Sequence, residues 1–166
     1  EILLDMTGLQ TVERSDTISL AALTEEVFCD LDPVADKHQI RLIQTEGDCT
    51  VTGSYILLYR AVYNLVENAI KYNRPSGSVT VSIHSAESAV LEVTDTGIGI
   101  SPENQEKIFD PFYRVDKSRS RAMGGAGLGL ALVSEIARQH NGQVKVTQSS
   151  EKGSTIALIL PESTDY

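Results

Sequence analysis

Apolar residues recur at three- and four-residue spacing at Leu20, Leu23, Val27 and Leu31, directly after Ser19, whose hydroxyl can accept from a free N–H of the first helical turn. The spacing predicts a helix over this stretch. Pro33 is expected to bend or end it, because proline lacks the N–H that the preceding turn would bond. Ile40–Ile43 and Cys49–Thr52 have strand length, and Ser54 then opens a second helix running to about Tyr72. Its inner face carries Leu58, Val62, Leu65 and Ala69, flanked by Val66 and Ile70. Arg74-Pro75-Ser76-Gly77 reads as a turn, after which Val79, Val81 and Ile83 alternate with polar residues and Ala89, Leu91 and Val93 form a partner strand. From Asp95 to Gly129 the pattern gives way to glycine and basic residues, broken by one short helix that Ser101-Pro102 starts. Leu130, Val133, Ile136 and Ala137 mark a third amphipathic helix stopped by Asn141-Gly142, and strands at Gln143–Gln148 and Ser154–Leu160 complete the chain. This order predicts an α+β fold. It is a two-layer α/β sandwich, with three main helices packed on one face of a mixed, mainly antiparallel sheet.

Composition narrows the picture. The 166 residues suit one domain, and 41% hydrophobic with 22% charged residues is an ordinary globular balance. A net charge of −9 argues against nucleic acid as a partner, since a phosphate backbone demands a basic face. The basic residues are nevertheless uneven: Lys107, Arg114, Lys117, Arg119 and Arg121 fall between Glu106 and Arg121, which suits either a small polyphosphate or a solvated loop. Cys29 and Cys49 form no CxxC pair and stand apart from the histidines, so neither zinc nor a redox motif is indicated and a reduced compartment is the simplest expectation. No apolar run reaches the roughly 18 residues that a membrane span needs. The chain starts at Glu1, in mid-pattern with Ile2, Leu3, Leu4 and Met6, which suggests excision from a longer protein.

Three groups of residues could carry chemistry. Asn64, Asn68 and Lys71 share one face of the second helix, with Tyr72 following. Such a stripe is either solvent-facing or, near phosphates, a place where an amide oxygen meets Mg²⁺ and the lysine meets a phosphate. Asp95-Thr96-Gly97-Ile98-Gly99 follows a strand directly; its carboxylate could accept from the exocyclic amine of adenine or simply close an Asx turn. Gly124-Gly125-Ala126-Gly127-Leu128-Gly129 precedes a helix, where bare backbone N–H groups and the helix dipole favour phosphate. It is not a Walker A loop, because Leu130 stands where a lysine is required, nor a dinucleotide fingerprint, since no strand precedes it.

Taken in order, these segments resemble the catalytic domain of sensor histidine kinases, within the ATPase superfamily that includes gyrase and the large heat-shock chaperones. Asn64 to Tyr72 is similar to the N box, Asp95–Gly99 to the first glycine box, Phe109 to Arg114 to the F box, Gly125–Gly129 to the second glycine box and Gly153-Ser154-Thr155 to the third. The resemblance covers roughly residues 19 to 161. It implies a protein-histidine kinase using ATP and Mg²⁺, with Asn64, Asn68 and Lys71 as the catalytic set and Asn68 as the metal ligand. Asp95 would bind the adenine amine with Thr155 in support, Tyr72 would border the nucleotide, and Lys71 and Arg114 would contact phosphates. Gly97, Gly99, Ile100, Phe112, Gly125, Gly127, Leu128, Gly129 and Leu130 would complete the nucleotide site. Phe109 and Phe112 would anchor a mobile lid from about Arg114 to Gly125.

The family's phosphoacceptor, a histidine followed by an acidic residue, is missing: His38 precedes Gln39, His84 precedes Ser85 and His140 precedes Asn141. Residues 1–12 look like the last remnant of the dimerisation hairpin that would carry it, leaving 13–166 as the ATP-binding domain. The implied partners are the dimerisation and phosphoacceptor domain of the same parent and a response regulator receiver domain. The implied setting is a cytoplasmic domain of a homodimeric parent anchored in the bacterial membrane. Asn73 departs from the small hydroxyl residue common in the family. Two other readings compete: a degenerate module that binds nucleotide and signals without phosphotransfer, and a half-size aspartic protease suggested by Asp95-Thr96-Gly97, which leaves the N box and the glycine-rich helix entrance unexplained.

Overall fold

The computed structural model describes residues 16–110 and 129–163. The chain runs through β1 (Asp16–Ser19), α1 (Leu20–Lys37), β2 (Arg41–Gln44), β3 (Thr50–Gly53), α2 (Tyr55–Lys71), β4 (Ser78–Ala86) and β5 (Ser88–Asp95). Short 3₁₀ turns at Pro102–Asn104 and Lys107–Phe109 follow, then α3 (Gly129–Gln139), β6 (Gln143–Ser150) and β7 (Gly153–Leu160). Five strands form one sheet in the order β2-β4-β5-β7-β6, in which β2 lies parallel to β4 and every other neighbour is antiparallel. The helices cover one face of it, giving the expected α+β sandwich.

The core follows from the periodicity. Leu20, Leu23, Val27 and Leu31 of α1 and Leu58, Val62, Leu65 and Val66 of α2 are buried together with Val79, Val81, Leu91, Val93 and Leu158 from the sheet. Capping fixes where the helices start. The Ser19 hydroxyl accepts from the Ala22 N–H at 3.2 Å, while Asp48 accepts from Ala21 N–H at 2.9 Å and from the Ser19 hydroxyl at 2.7 Å. At the head of α2 the Ser54 hydroxyl accepts from Leu57 N–H at 3.3 Å, and the Asp16 carboxylate accepts from Tyr55 N–H at 3.1 Å. These partners satisfy backbone N–H groups that a helix start leaves unpaired.

His140 joins the two ends of the helical layer. Its Nε2 accepts from Ser54 N–H at 3.0 Å, which requires the ring proton on Nδ1, and Nδ1–H donates to the Ile136 carbonyl at 2.8 Å. The tail of α3 thereby completes the entrance of α2.

Three features differ from the sequence expectation. Pro33 lies inside α1, which continues to Lys37. The carbonyl that proline leaves unbonded belongs to exposed Cys29, where water can reach it, and Ala35 beyond the break is buried at 1% exposure. The early strand expected at 49–52 runs instead from Thr50 to Gly53 and lies outside the main sheet, in a two-stranded ribbon with β1. β1 itself has no alternation to announce it, since Ile18 is its one buried residue.

Candidate functional site

The second half of α2 and the end of β5 lie side by side and hold most of the described candidate residues. On α2, Asn64, Asn68 and Lys71 are half-buried beside the apolar stripe. The Asn64 amide donates to the Gly129 carbonyl at 3.4 Å, bringing the exit of the second glycine segment against the N box. Leu130, one residue on, packs on the core. Lys71 Nζ stands 3.8 Å from the Glu67 carboxylate, an ion pair one helical turn long. Tyr72 ends the helix, its N–H donating to the Asn68 carbonyl at 3.1 Å.

Asp95 ends β5, and its carboxylate is tied down from two sides. Oδ1 accepts from Gly97 N–H at 2.8 Å and Ser154 N–H at 3.3 Å, and Oδ2 accepts from the Ser154 hydroxyl at 2.9 Å. Burial pushes the Asp95 carboxyl above the ordinary aspartate value of 3.8, against the lowering effect of those same hydrogen bonds. A carboxylate has about four acceptor positions, so these three leave one directed contact for an incoming donor. The loop beyond is shaped by glycine. A methyl group on Gly97 would lie 2.5 Å from the Tyr72 carbonyl oxygen, and Gly99 has φ +78, a conformation that side chains resist. Ile100 N–H donates to the Ser149 hydroxyl at 2.6 Å, binding the loop to the β6–β7 hairpin.

The resemblance gives Thr155 a supporting role in the pocket of Asp95; the hydroxyl that bonds the carboxylate itself is that of Ser154. Register explains this: Asp95 pairs with Ser154 and Thr94 with Thr155, so successive side chains project to opposite faces. Thr155 spends its hydroxyl on Thr94, at 2.9 Å. Asn73 stands in the sequence only as a departure from the family pattern, with no role given to it. It is 7% exposed and bonds both Thr96 and Ser78, and that departure was the one available signal. Phe112, Arg114, Gly125, Gly127, Leu128 and the expected lid from Arg114 to Gly125 lie outside the described residues. Phe109 packs against the core next to buried Ile108.

No three His, Cys, Asp or Glu side chains converge on a metal cage among the described residues. A Mg²⁺ ion carried in on phosphate oxygens and water needs only one or two protein donors, and the Asn68 amide oxygen, half-buried on the same face as Lys71, fits that need. No described helix is long and apolar enough to cross a membrane.

A half-buried carboxylate at a strand end, a glycine-shaped loop beside it and an amide-and-lysine face on the neighbouring helix define an α+β nucleotide-binding domain. The comparison with known proteins narrows the class. Residues 53–164 match the histidine kinase-, DNA gyrase B- and HSP90-like ATPase family, and the chain belongs to that family. It is 38% identical over 169 residues to the sensor-like histidine kinase SenX3 of Mycolicibacterium smegmatis, a match covering 98% of this chain and 44% of that protein. It is 44% identical over 140 residues to the sensor histidine kinase RppB of Synechocystis, covering 84% of this chain and 30% of that one. Among solved structures it resembles the mycobacterial sensor histidine kinase MprB, with a TM-score of 0.76 and 28% identity over 89% of this chain and 97% of that one. The chain spans less than half the length of these full-length relatives.

Proposed function

We propose that this chain binds MgATP and supplies the catalytic half of a two-component sensor kinase, passing the γ-phosphoryl group to a histidine elsewhere in the parent protein. The observation that carries this reading is the Asp95 carboxylate, held by Gly97 and Ser154 with one acceptor position left over. An adenine amine is a donor of matching chemistry. Tyr72 and the glycine loop border the base, and the phosphates extend toward Lys71 and Gly129; Arg114, Gly125 and Gly127, which lie outside the described residues, are the further phosphate contacts that the family resemblance implies. Asn68 would hold a Mg²⁺ ion, which would supply charge neutralisation to the phosphates.

Phosphoryl transfer asks chiefly for in-line placement and charge compensation, and this set of residues provides both. Loss of ATP to water would need a base. Asn64, one turn before Asn68, is an amide that cannot take a proton at neutral pH, and Glu67 is engaged with Lys71. The acceptor histidine and a receiver domain are the partners in this scheme, in a membrane-anchored homodimer whose cytoplasmic portion includes this domain. Residues 1–12, read from the sequence as the remnant of the hairpin that would bear that histidine, lie outside the described residues.

The test has two parts. Calorimetric titration with ATP and ADP, with and without Mg²⁺, should show binding that depends on Asp95 and is strengthened by the metal. Supplying the parent's dimerisation hairpin with radiolabelled ATP should then label its histidine. Binding without labelling would point to the module that signals by shape alone, and absence of binding would refute the whole reading.

A further inference from the structure

Asn73 follows Tyr72 at the last turn of α2, and its side chain makes no hydrogen bond to the side chains assigned to nucleotide. Its amide nonetheless bonds through both its oxygen and its nitrogen. Oδ1 accepts from Arg74 N–H at 2.8 Å and from the Thr96 hydroxyl at 2.9 Å, while Nδ2 donates to the Ser78 carbonyl at 2.9 Å. Thr96 closes the ring: its hydroxyl oxygen accepts from Ser78 N–H at 2.9 Å, and its own N–H donates to the Ser78 carbonyl at 3.3 Å. Three segments meet here, namely the end of α2, the start of β4 and the residue directly after Asp95. Gly77 leaves the room for this ring, since a Cβ there would overlap both Asn73 Oδ1 and Thr96 Oγ1.

An amide carries its acceptor and donor on separate atoms, so it spans Thr96 and Ser78 at once; a small hydroxyl has a single oxygen for both tasks. The ring shares no hydrogen bond with those that aim Asp95, which come from Gly97 and Ser154. The Ser154 contacts, from a separate strand, would hold the carboxylate if the ring broke, while its distance from the end of α2 loosened.

We propose that Asn73 and Thr96 form a latch of positioning residues that sets the spacing between Asp95 and the Lys71–Tyr72 end of α2, and so selects ligands that engage both ends. This rests on the nucleotide site proposed above. ATP reaches from Asp95 to Lys71 and feels the spacing. Adenosine, which lacks phosphates, meets Asp95 and Tyr72 but does not extend to Lys71, and so feels the spacing less.

The test is a competition titration of ATP and of adenosine against a fluorescent ATP analogue, on the wild-type chain and on Thr96→Val, which removes the hydroxyl at an exposed position while keeping the side-chain shape. ATP affinity should fall about three- to tenfold, the range expected for one net hydrogen bond, with adenosine changed by less than about twofold. Asn73→Ala should act in the same direction, and combining it with Thr96→Val should add little because one latch is broken either way. Thr96→Ser should recover the wild-type ratio of ATP to adenosine affinity. Should Asn73→Ala fold poorly, the Thr96 pair decides alone. Equal weakening of both ligands, no change in either, or failure of Thr96→Ser to recover the ratio would overturn the latch while leaving the nucleotide site standing. A wild-type chain that binds neither ligand would refute the site itself.

Discussion

Asp95→Asn is the substitution that best separates binding from folding. The amide can keep its oxygen at the Oδ1 position, where it still accepts from Gly97 N–H and Ser154 N–H, and place its NH₂ toward the Ser154 hydroxyl, which can turn to accept. The local structure therefore survives. What changes is the remaining acceptor position, which now presents a donor to the donor amine of adenine. A hydrogen bond to a charged group is worth about 1.5–3 kcal/mol, so ATP affinity should fall roughly 10- to 150-fold. Stability should move the other way or not at all, because burial already penalises the ionised carboxylate, as its raised pKa records. The folded-state value lies above the unfolded one, so the folded chain takes up this proton more readily. Its contribution to stability thus grows as pH falls through the folded value and levels off below the ordinary value of 3.8. ATP affinity of the wild type should weaken over the same descent, since protonation removes the acceptor, and the substituted protein should lack that pH component. Calorimetry for affinity and thermal melts of the nucleotide-free protein at several pH values measure both. Unchanged affinity, or an affinity loss matched by a lower melting temperature of the free protein, would refute the reasoning.

Four further outcomes follow from named contacts. Ser154→Ala should weaken ATP binding by about three- to tenfold and Thr155→Val by less, because only the Ser154 hydroxyl reaches Asp95; the reverse order in a titration would return the supporting role to Thr155. His140→Phe leaves the Ser54 N–H without its acceptor at the head of α2 and should cost about 1–3 kcal/mol in urea unfolding, with faster amide exchange at Ser54; wild-type stability would contradict it. Leu58→Ala, at a site with 0% exposure, should cost about 2–5 kcal/mol in the same assay, and a smaller loss would mean that the helix–sheet core closes over the gap. Steady-state phosphate release should be slow, since general-base help typically contributes about 10²–10⁴-fold and Asn64 offers none; rapid release abolished by Asn68→Ala would falsify this and align the chain with hydrolysing ATPases.

Local pattern was sufficient for the helices, the α+β class and the order of the site segments. Leu20 to Leu31 and Leu58 to Leu65 repeat at helical spacing because one face must leave water, and Ser19 and Ser54 sit where a free N–H needs an oxygen. Asp95 and Asn68 stand out as candidates for a similar reason: glycine and amide residues placed beside a strand end and along one helix face are features of the chain read in order. Contacts between distant segments were not legible. α1 runs past Pro33 to Lys37, and β1 pairs with β3 at an edge that only the folded chain brings to it. The choice of Ser154 over Thr155 depends on the pairing of β5 with β7, where a shift of one residue exchanges the two faces. Asn73 looked like a mere deviation until folding brought Ser78 and Thr96 to its amide. Hydrogen bonds across such separations depend on register and helix placement, which the buried surface of the whole domain sets and no local window contains.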